Sequence, residues 1–191
     1  MGSSQQVKTF EWPAEELSEV LLQLPFSSSV AIENSTANTV QLTYTTEGEY
    51  RQALQLQHQI SNSQLQIREQ GMPSFEFHND KLSAHKVLAA TVNLRVPQQL
   101  SLKLQLEEGQ LKASGQYQHF RLVQKKGRCE LVSWTTAGRL RTDAVAVVLV
   151  APKVSIQLKQ KGQQRQLLCA TAGGSLLQIE AQSGTVNCVP Q

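Results

Sequence analysis

The chain has 191 residues, of which 40 % are apolar and 17 % are charged, a balance that excludes a disordered chain and fits one domain. Its net charge of +3 is smaller than the basic excess of a typical nucleic-acid-binding domain. No apolar run approaches the roughly 20 residues that a membrane-spanning helix needs. We therefore expect a single domain over residues 1–191, with no membrane span.

The first 25 residues contain the one segment that competes for a helix. In EELSEVLLQL, residues 15–24, the apolar side chains of Leu17, Val20, Leu21 and Leu24 have helical spacing. A stack of strands also needs its open end covered. Residues 1–25 are therefore predicted to form an N-terminal cap with a short helix.

The same N-terminal segment bears on localisation. MGSSQQVKTFEW lacks the apolar run of a secretory signal. We expect a cytoplasmic protein from the sequence as it stands, and a periplasmic or cell-surface protein if an export signal has been removed.

From Val30 onward, apolar and polar residues alternate with period two, as in strands that have one buried face. Glutamine, which occurs 26 times, often fills the polar position and suits amide ladders on a wet sheet face. The pattern predicts an all-β protein. The segments that show it most clearly are 40–44, 54–60, 65–67, 92–96, 100–106, 154–158, 177–179 and 186–188.

Residues 70–86 interrupt this pattern with Gly71, Pro73 and Asn79, and are predicted to form one long loop. Within it, His78, Asp80 and His85 carry groups that zinc binds. Their spacing matches no defined metal motif, and Asp and Asn are common turn residues. We favour a structural loop without a metal or other cofactor, and keep these three residues as candidate metal ligands.

Glycines followed by short apolar alternation divide the second half of the chain, and we interpret them as turns. The tight Asn-Gly and Asp-Gly signals of a meandering sandwich are missing. This favours a parallel β-helix, or solenoid, of stacked coils, with a β-sandwich as the alternative. The glycines are Gly109, Gly127, Gly138, Gly174 and Gly184.

A family resemblance supports this interpretation. Residues 92–142 run as strand, Pro97, strand, glycine, strand, and together with NDKLSAHKV at 79–87 they resemble the bacterial putative-adhesin family, in a subgroup of hypothetical proteins from Bacteroidetes-type bacteria. Its members are β-strand-repeat domains of uncharacterised function. The resemblance implies a right-handed parallel β-helix and supplies no catalytic residue, cofactor or substrate.

Catalytic groups are scarce. Glu107, Glu108 and Asp143 are the carboxylates that a sugar-cleaving β-helix would use. Glu107 and Glu108 precede a glycine, as solvated turn residues do, and neighbours on a strand point to opposite faces. Cys129 follows three basic residues, but it alternates with Leu131 and is expected to be a reduced, buried thiol. We predict that the protein is not an enzyme.

Basic residues form runs at 121–128, 138–141 and 159–165. If their turns align, they form a stripe for a polyanion. Aromatic residues are only 5 % of the chain, which disfavours nucleic acid because no stacking platform is evident. Solvated turns explain the same charges. The candidate polyanion-binding residues are Lys125, Lys126, Arg128, Arg139 and Arg141.

Together these features predict a non-enzymatic structural or protein-interaction module of adhesin type. Its partner would be another protein or a second copy of the chain, because an open strand edge can pair with another edge. The alternative function is a β-helix that binds a carbohydrate or a polyanion, or that acts on a carbohydrate.

Overall fold

The computed structural model describes residues 5–48, 52–72, 89–167 and 174–189. All regular elements in these ranges are strands, so the all-β prediction is confirmed. The described ranges contain no helix with the length and apolarity to cross a membrane. The strands are β1 (Gln5–Pro13), β2 (Glu19–Leu24), β3 (Ser29–Asn34), β4 (Thr39–Glu47), β5 (Leu54–Ser61), β6 (Gln64–Gly71), β7 (Ala89–Val96), β8 (Ser101–Ser114), β9 (Phe120–Val132), β10 (Gly138–Val150), β11 (Ser155–Gln160), β12 (Gln163–Leu167) and β13 (Leu176–Val189).

The strands form one 13-stranded mixed sheet. Its main path runs β1-β4-β7-β3-β8-β9-β10-β13-β11-β12, and a branch of β2, β6 and β5 joins it at β8. Parallel pairs dominate the centre of the sheet, where β8, β9 and β10 lie side by side in register. Antiparallel pairs occur at its ends, between β1 and β4, β4 and β7, β5 and β6, and β11 and β12.

The predicted parallel β-helix is wrong. A solenoid stacks each coil on the one that precedes it in the chain, with parallel strands. Here β1 pairs antiparallel with β4, and β3 lies between β7 and β8, so the N-terminal strands insert out of chain order. One mixed sheet with antiparallel hairpins replaces the predicted stack of coils.

In the four long strands, β8, β9, β10 and β13, the alternating series of core-facing residues shifts by one position near the middle of the strand. In β8, Leu102, Leu104 and Leu106 are buried, Glu107 and Glu108 are exposed, and burial then resumes at Leu111. We call this break the corner. The part of the sheet before the corner, with β2, β5, β6, β11 and β12, is arm 1, and the part after it, with β1, β3, β4 and β7, is arm 2. Buried side chains of both arms belong to one hydrophobic core, so the arms face each other across it in a sandwich-like arrangement.

The glycines that form the corner lie within strands. Gly109 of β8 pairs with Gly127 of β9, and Gly184 of β13 pairs with Val145 of β10. The backbone oxygen of Gly109 lies 1.9 Å from the position that a Cβ on residue 127 would take, and Gly127 has a φ of +112°. The interpretation of these glycines as turns between strands is therefore wrong, because they let neighbouring strands bend together at close approach.

The predicted N-terminal helix or cap is also wrong, since β1 and β2 occupy most of residues 1–25 as strands. Val20, Leu22 and Leu24 point inward with 0 % exposure. The apolar run of Val20, Leu21, Leu22 and Leu24 contains residues at period two as well as residues at helical spacing. The backbone partners offered by β6 and β8 decide in favour of the strand.

Two tight hairpins escaped the sequence analysis. Asn62 and Ser63 join β5 to β6, and Lys161 and Gly162 join β11 to β12. All four residues have positive φ, as the central positions of a type I′ turn require. The Asn-Ser and Lys-Gly pairs are weaker signals than Asn-Gly, which explains why they were missed. The predicted loop at 70–86 lies outside the described residues except for its first three positions.

Aromatic rings fill the side of the core between the arms. Trp134 is fully buried, lies 4.7 Å from Phe120 and 5.8 Å from Tyr117 between ring centroids, and donates its indole N–H to the Thr136 carbonyl at 2.9 Å. Trp12 on β1 is also buried and stacks on Phe10. The loops that carry Tyr117 and Trp134 thus close the core between the two arms.

Candidate functional site: the outer faces of the folded sheet

The predicted metal ligands His78, Asp80 and His85 lie outside the described residues, so their prediction stays open. In the part of the chain that the structure describes, no group of three or more His, Cys, Asp or Glu side chains is placed to hold a metal ion.

The candidate catalytic carboxylates lie at the corner. The Lys125 ammonium is 2.6 Å from Oε2 of Glu107, and the carboxylate of Asp143 also acts on it electrostatically. The hydrogen bond to Glu107 and its charge raise the pKa of Lys125, and Asp143 adds to the rise. An exposed lysine therefore lies between the two carboxylates. This arrangement offsets part of the negative charge across the strands at the corner.

The structure separates the five candidate polyanion-binding residues. Arg139 and Arg141 project outward from arm 1, and Lys125 and Lys126 lie at the corner. Arg128 lies beyond the corner, where its guanidinium is 3.2 Å from Oε2 of Glu130. The five residues thus do not all lie on one arm, and their binding of a polyanion stays a prediction.

Strand register instead brings Arg139 beside two cations that the candidate set omitted. Lys103 of β8 pairs with Arg121 of β9, and Arg121 pairs with Arg139 of β10. All three are on the outer face of arm 1, alternating with buried residues. We call Lys103, Arg121 and Arg139 the basic row. Nothing local in the sequence marks it, because only the parallel register places these positions side by side.

Amides continue this row across the sheet. Both Nε and Nη2 of Arg139 donate to Oε1 of Gln178, at 3.3 and 3.0 Å, and Gln178 donates to Gln157 at 3.3 Å. On the other side of the arm, Gln23 donates to Gln105 at 2.8 Å. The amide ladders that the glutamine content indicated are present on the wet face of arm 1.

Arm 2 carries a surface concavity of about 620 Å³. Residues from β1, β3, β4, β7 and β8 line it, and both of its cations are paired with carboxylates of the protein. Nε of Arg95 lies 2.6 Å from Oε1 of Glu33, and Nζ of Lys112 lies 3.6 Å from Oε1 of Glu130. This face offers polar contacts of both signs and no surplus charge to select a ligand.

A buried carboxylate, Glu69 on β6, is the residue that sequence analysis overlooked most clearly. It is 2 % exposed and accepts three hydrogen bonds, from the Tyr44 hydroxyl at 2.6 Å, the Phe26 N–H at 2.7 Å and the Ser27 hydroxyl at 3.0 Å. Burial raises the pKa of Tyr44, and the neighbouring Glu69 raises it further. Because β6 belongs to arm 1 and Tyr44 to arm 2, this network joins the arms where the chain turns from β2 to β3. A polar residue at an inward position of β6 was the available signal.

The cysteines differ in state. Cys129 is free and fully buried, and burial raises the pKa of its thiol to about 12, with the charge of Glu130 adding to the effect. A protonated, inaccessible thiol is no nucleophile, so the expectation of a buried structural cysteine is confirmed for this residue. Cys188 on β13, by contrast, is disulfide-bonded.

The fold has a counterpart among solved structures. With a TM-score of 0.64 and 12 % identity over the full length of both chains, it is similar to a putative cell adhesion protein from Clostridium sporogenes. The chain shares its fold with that protein. The predicted adhesin resemblance is confirmed at this level.

Two further solved structures align with lower TM-scores. A putative adhesin from Bacteroides fragilis aligns with a TM-score of 0.36 and 9 % identity, over 97 % of this chain and 98 % of that one. A putative lipid binding protein from Parabacteroides distasonis aligns with a TM-score of 0.27 and 12 % identity, over 96 % of each chain. No protein-family model and no curated protein matches the sequence.

Proposed function

We propose that this protein is a non-enzymatic interaction module of adhesin type, which binds a partner across the outer faces of its folded sheet. The observation that carries the proposal is the form of these faces. They are broad, shallow and made of side chains from many strands, as the arm 2 concavity with its five contributing strands illustrates. A surface of this kind suits an extended partner, whereas enzymes use an enclosed pocket with a few convergent groups.

The similarity to the putative cell adhesion protein from Clostridium sporogenes supports the adhesive role. The state of the candidate catalytic groups supports the non-enzymatic one. Lys125 is paired with the corner carboxylate Glu107, and Cys129 is buried in its protonated form.

Flow cytometry with fluorescently labelled protein tests the proposal. We expect saturable binding to a bacterial or host cell surface, competed by unlabelled protein. Binding that rises linearly without competition contradicts it. Release of reducing ends from a panel of polysaccharides, measured in parallel, also contradicts it by demonstrating catalysis.

We also infer that the protein works outside the reducing cytoplasm. The disulfide at Cys188 supports this location, because disulfides persist mainly in oxidising compartments. Mass spectrometry of the protein from its source cells, alkylated before any reduction, is expected to find Cys188 protected. An alkylated Cys188 contradicts the inference.

A single domain over residues 1–191 remains part of the proposal. Buried side chains from β1 through β13 in one hydrophobic core support it. Calorimetry is expected to give one unfolding transition with equal calorimetric and van't Hoff enthalpies. Two separable transitions contradict it.

A further inference from the structure

The three side chains of the basic row lie on adjacent strands of arm 1. Neighbouring strands are about 4.8 Å apart, so three positive groups repeat along the sheet at close spacing. Lys103 is half-buried and Arg121 and Arg139 are exposed. They border a shallow concavity of about 360 Å³, which Ser101, Gln178, His119 and one carboxylate, that of Glu19, also line. This is a cationic surface that is open to a ligand.

Charge balance distinguishes the basic row from the other cations of the sheet. Within the described ranges, Arg121 makes no ion pair or hydrogen bond, and Arg139 is bound only to the neutral Gln178. Lys103 is paired at its far side with Glu19, at 2.8 Å.

On arm 2, in contrast, three cations of the outer face each have a carboxylate partner. Arg95 pairs with Glu33, and both Lys112 and Arg128 pair with Glu130. Like charges directly opposite each other on adjacent strands are unfavourable, so the basic row carries a repulsion that arm 2 avoids. A bound anion would remove it.

We propose that the basic row binds a linear anionic polysaccharide, through its sulfate or carboxylate groups. Guanidinium groups bind such anions with paired, charge-assisted hydrogen bonds. The amides of Gln178 and Gln157, further along the same line, can donate to and accept from sugar hydroxyls. This ligand rests on the proposed function, because it identifies what the interaction module binds.

Nucleic acid fits this surface less well. Single strands are held by aromatic rings on which bases stack. The aromatic residue nearest the basic row in sequence, Phe120, points into the core with 1 % exposure and packs on Trp134. The outward-facing neighbours along the row are the amides of Gln178 and Gln157, with the His119 imidazole and the Glu19 carboxylate at the same concavity. The surface therefore offers mainly charge and hydrogen bonds, and the two largest rings nearby are turned into the core.

Isothermal titration with heparin, compared with neutral dextran and with oligothymidylate, tests the proposal. We expect heparin to bind with an affinity that falls as salt is raised, dextran not to bind, and oligothymidylate to bind more weakly than heparin. The triple substitution Lys103→Gln, Arg121→Gln and Arg139→Gln should weaken heparin binding about tenfold or more. Tighter binding of oligothymidylate, or no heparin binding at low salt, overturns the proposal.

The matched control is Arg95→Gln, Lys112→Gln and Arg128→Gln, which removes the same three charges, two arginines and one lysine, from arm 2. It should retain heparin affinity within about twofold. Equal losses in both triple variants mean that only net charge matters, and overturn the proposal. If the basic-row triple does not fold by circular dichroism, Arg121→Gln alone replaces it, because Arg121 has no described partner to lose.

The cell-binding assay separates this inference from the proposed function. Saturable cell binding by a protein that does not bind heparin overturns the inference and leaves the interaction module standing. Heparin binding without saturable cell binding supports the basic row and contradicts the adhesive role.

Discussion

The hydroxyl of Tyr44 donates a 2.6 Å hydrogen bond to Oε1 of Glu69, and this contact connects arm 2 to arm 1 inside the protein. Phe26 and Ser27, which also donate to Glu69, lie in the turn between β2 and β3. One carboxylate thus holds two sheet arms and the connection between them. Its three donors compensate for the loss of water around a buried charge.

Replacing Glu69 should therefore cost more than replacing Tyr44. Glu69→Ala removes the acceptor shared by the Tyr44 and Ser27 hydroxyls and the Phe26 N–H, and we expect the free energy of unfolding to fall by about 3 to 5 kcal/mol. Tyr44→Phe removes one donor and leaves two, and should cost about 1 to 3 kcal/mol. Urea denaturation followed by circular dichroism measures both. A smaller loss for Glu69→Ala than for Tyr44→Phe contradicts this account of the network.

Gly127→Ala tests the close approach of strands at the corner. The added Cβ would lie 1.9 Å from the Gly109 oxygen in a backbone with a φ of +112°, so we expect a loss of about 3 kcal/mol or more. Gly162→Ala is the control, because that glycine also has positive φ, at +77°, but has nothing within 4 Å. It should cost about 1 kcal/mol. Equal decreases of the melting temperature in the two variants would mean that the positive φ alone, and not the close approach of Gly109, determines the loss of stability.

Alkaline pH should destabilise the protein through Cys129. Its thiol has a pKa of about 12 in the folded protein against an ordinary value of 9.0, so the folded state keeps the proton that the unfolded state releases. The stabilisation is complete below pH 9 and is lost as pH rises toward 12, with a slope of up to about 1.4 kcal/mol per pH unit. Tyr44 and Tyr117, whose pKa values are also raised by burial, act in the same direction above pH 10.

The measurement for Cys129 is the free energy of unfolding between pH 9 and 10, where the tyrosines contribute least. Cys129→Ala is expected to be less stable throughout, because it loses packing, but to show a flatter dependence on pH. If the free energy of unfolding of this variant depends on pH as steeply as that of the unchanged protein, other groups cause the alkaline destabilisation.

The two tryptophans should differ in what they contribute to stability. Trp134 is enclosed by Phe120 and Tyr117, so Trp134→Ala should cost about 4 kcal/mol. Trp12 lies on the edge strand β1 and donates to the exposed His58 at 3.4 Å, so the site left by Trp12→Ala can collapse or hydrate, and should cost about 2 kcal/mol. Urea midpoints compare the pair. A larger loss of stability for Trp12→Ala than for Trp134→Ala contradicts this prediction.

Only part of the basic row could be predicted from the sequence. The excess of basic residues in the second half of the chain is visible in the sequence, and Arg139 was among the candidate residues. Lys103 and Arg121 were not, because they belong to different strands and meet only through parallel register. Glu69 was missed because a lone glutamate in an alternating segment gives no indication of the Tyr44 hydroxyl opposite it.

The sequence by itself determined that this protein is built of strands and which side chains face the core. Leu102, Leu104 and Leu106 are apolar at every second position, and period two is a local property that any pairing must respect. Only the tertiary structure decided which strands pair. Backbone hydrogen bonds between strands carry no sequence information, so many similar strands can pair in several orders. The insertion of β3 between β7 and β8, and the alignment of Gly109 with Gly127, follow from how the whole chain buries one core.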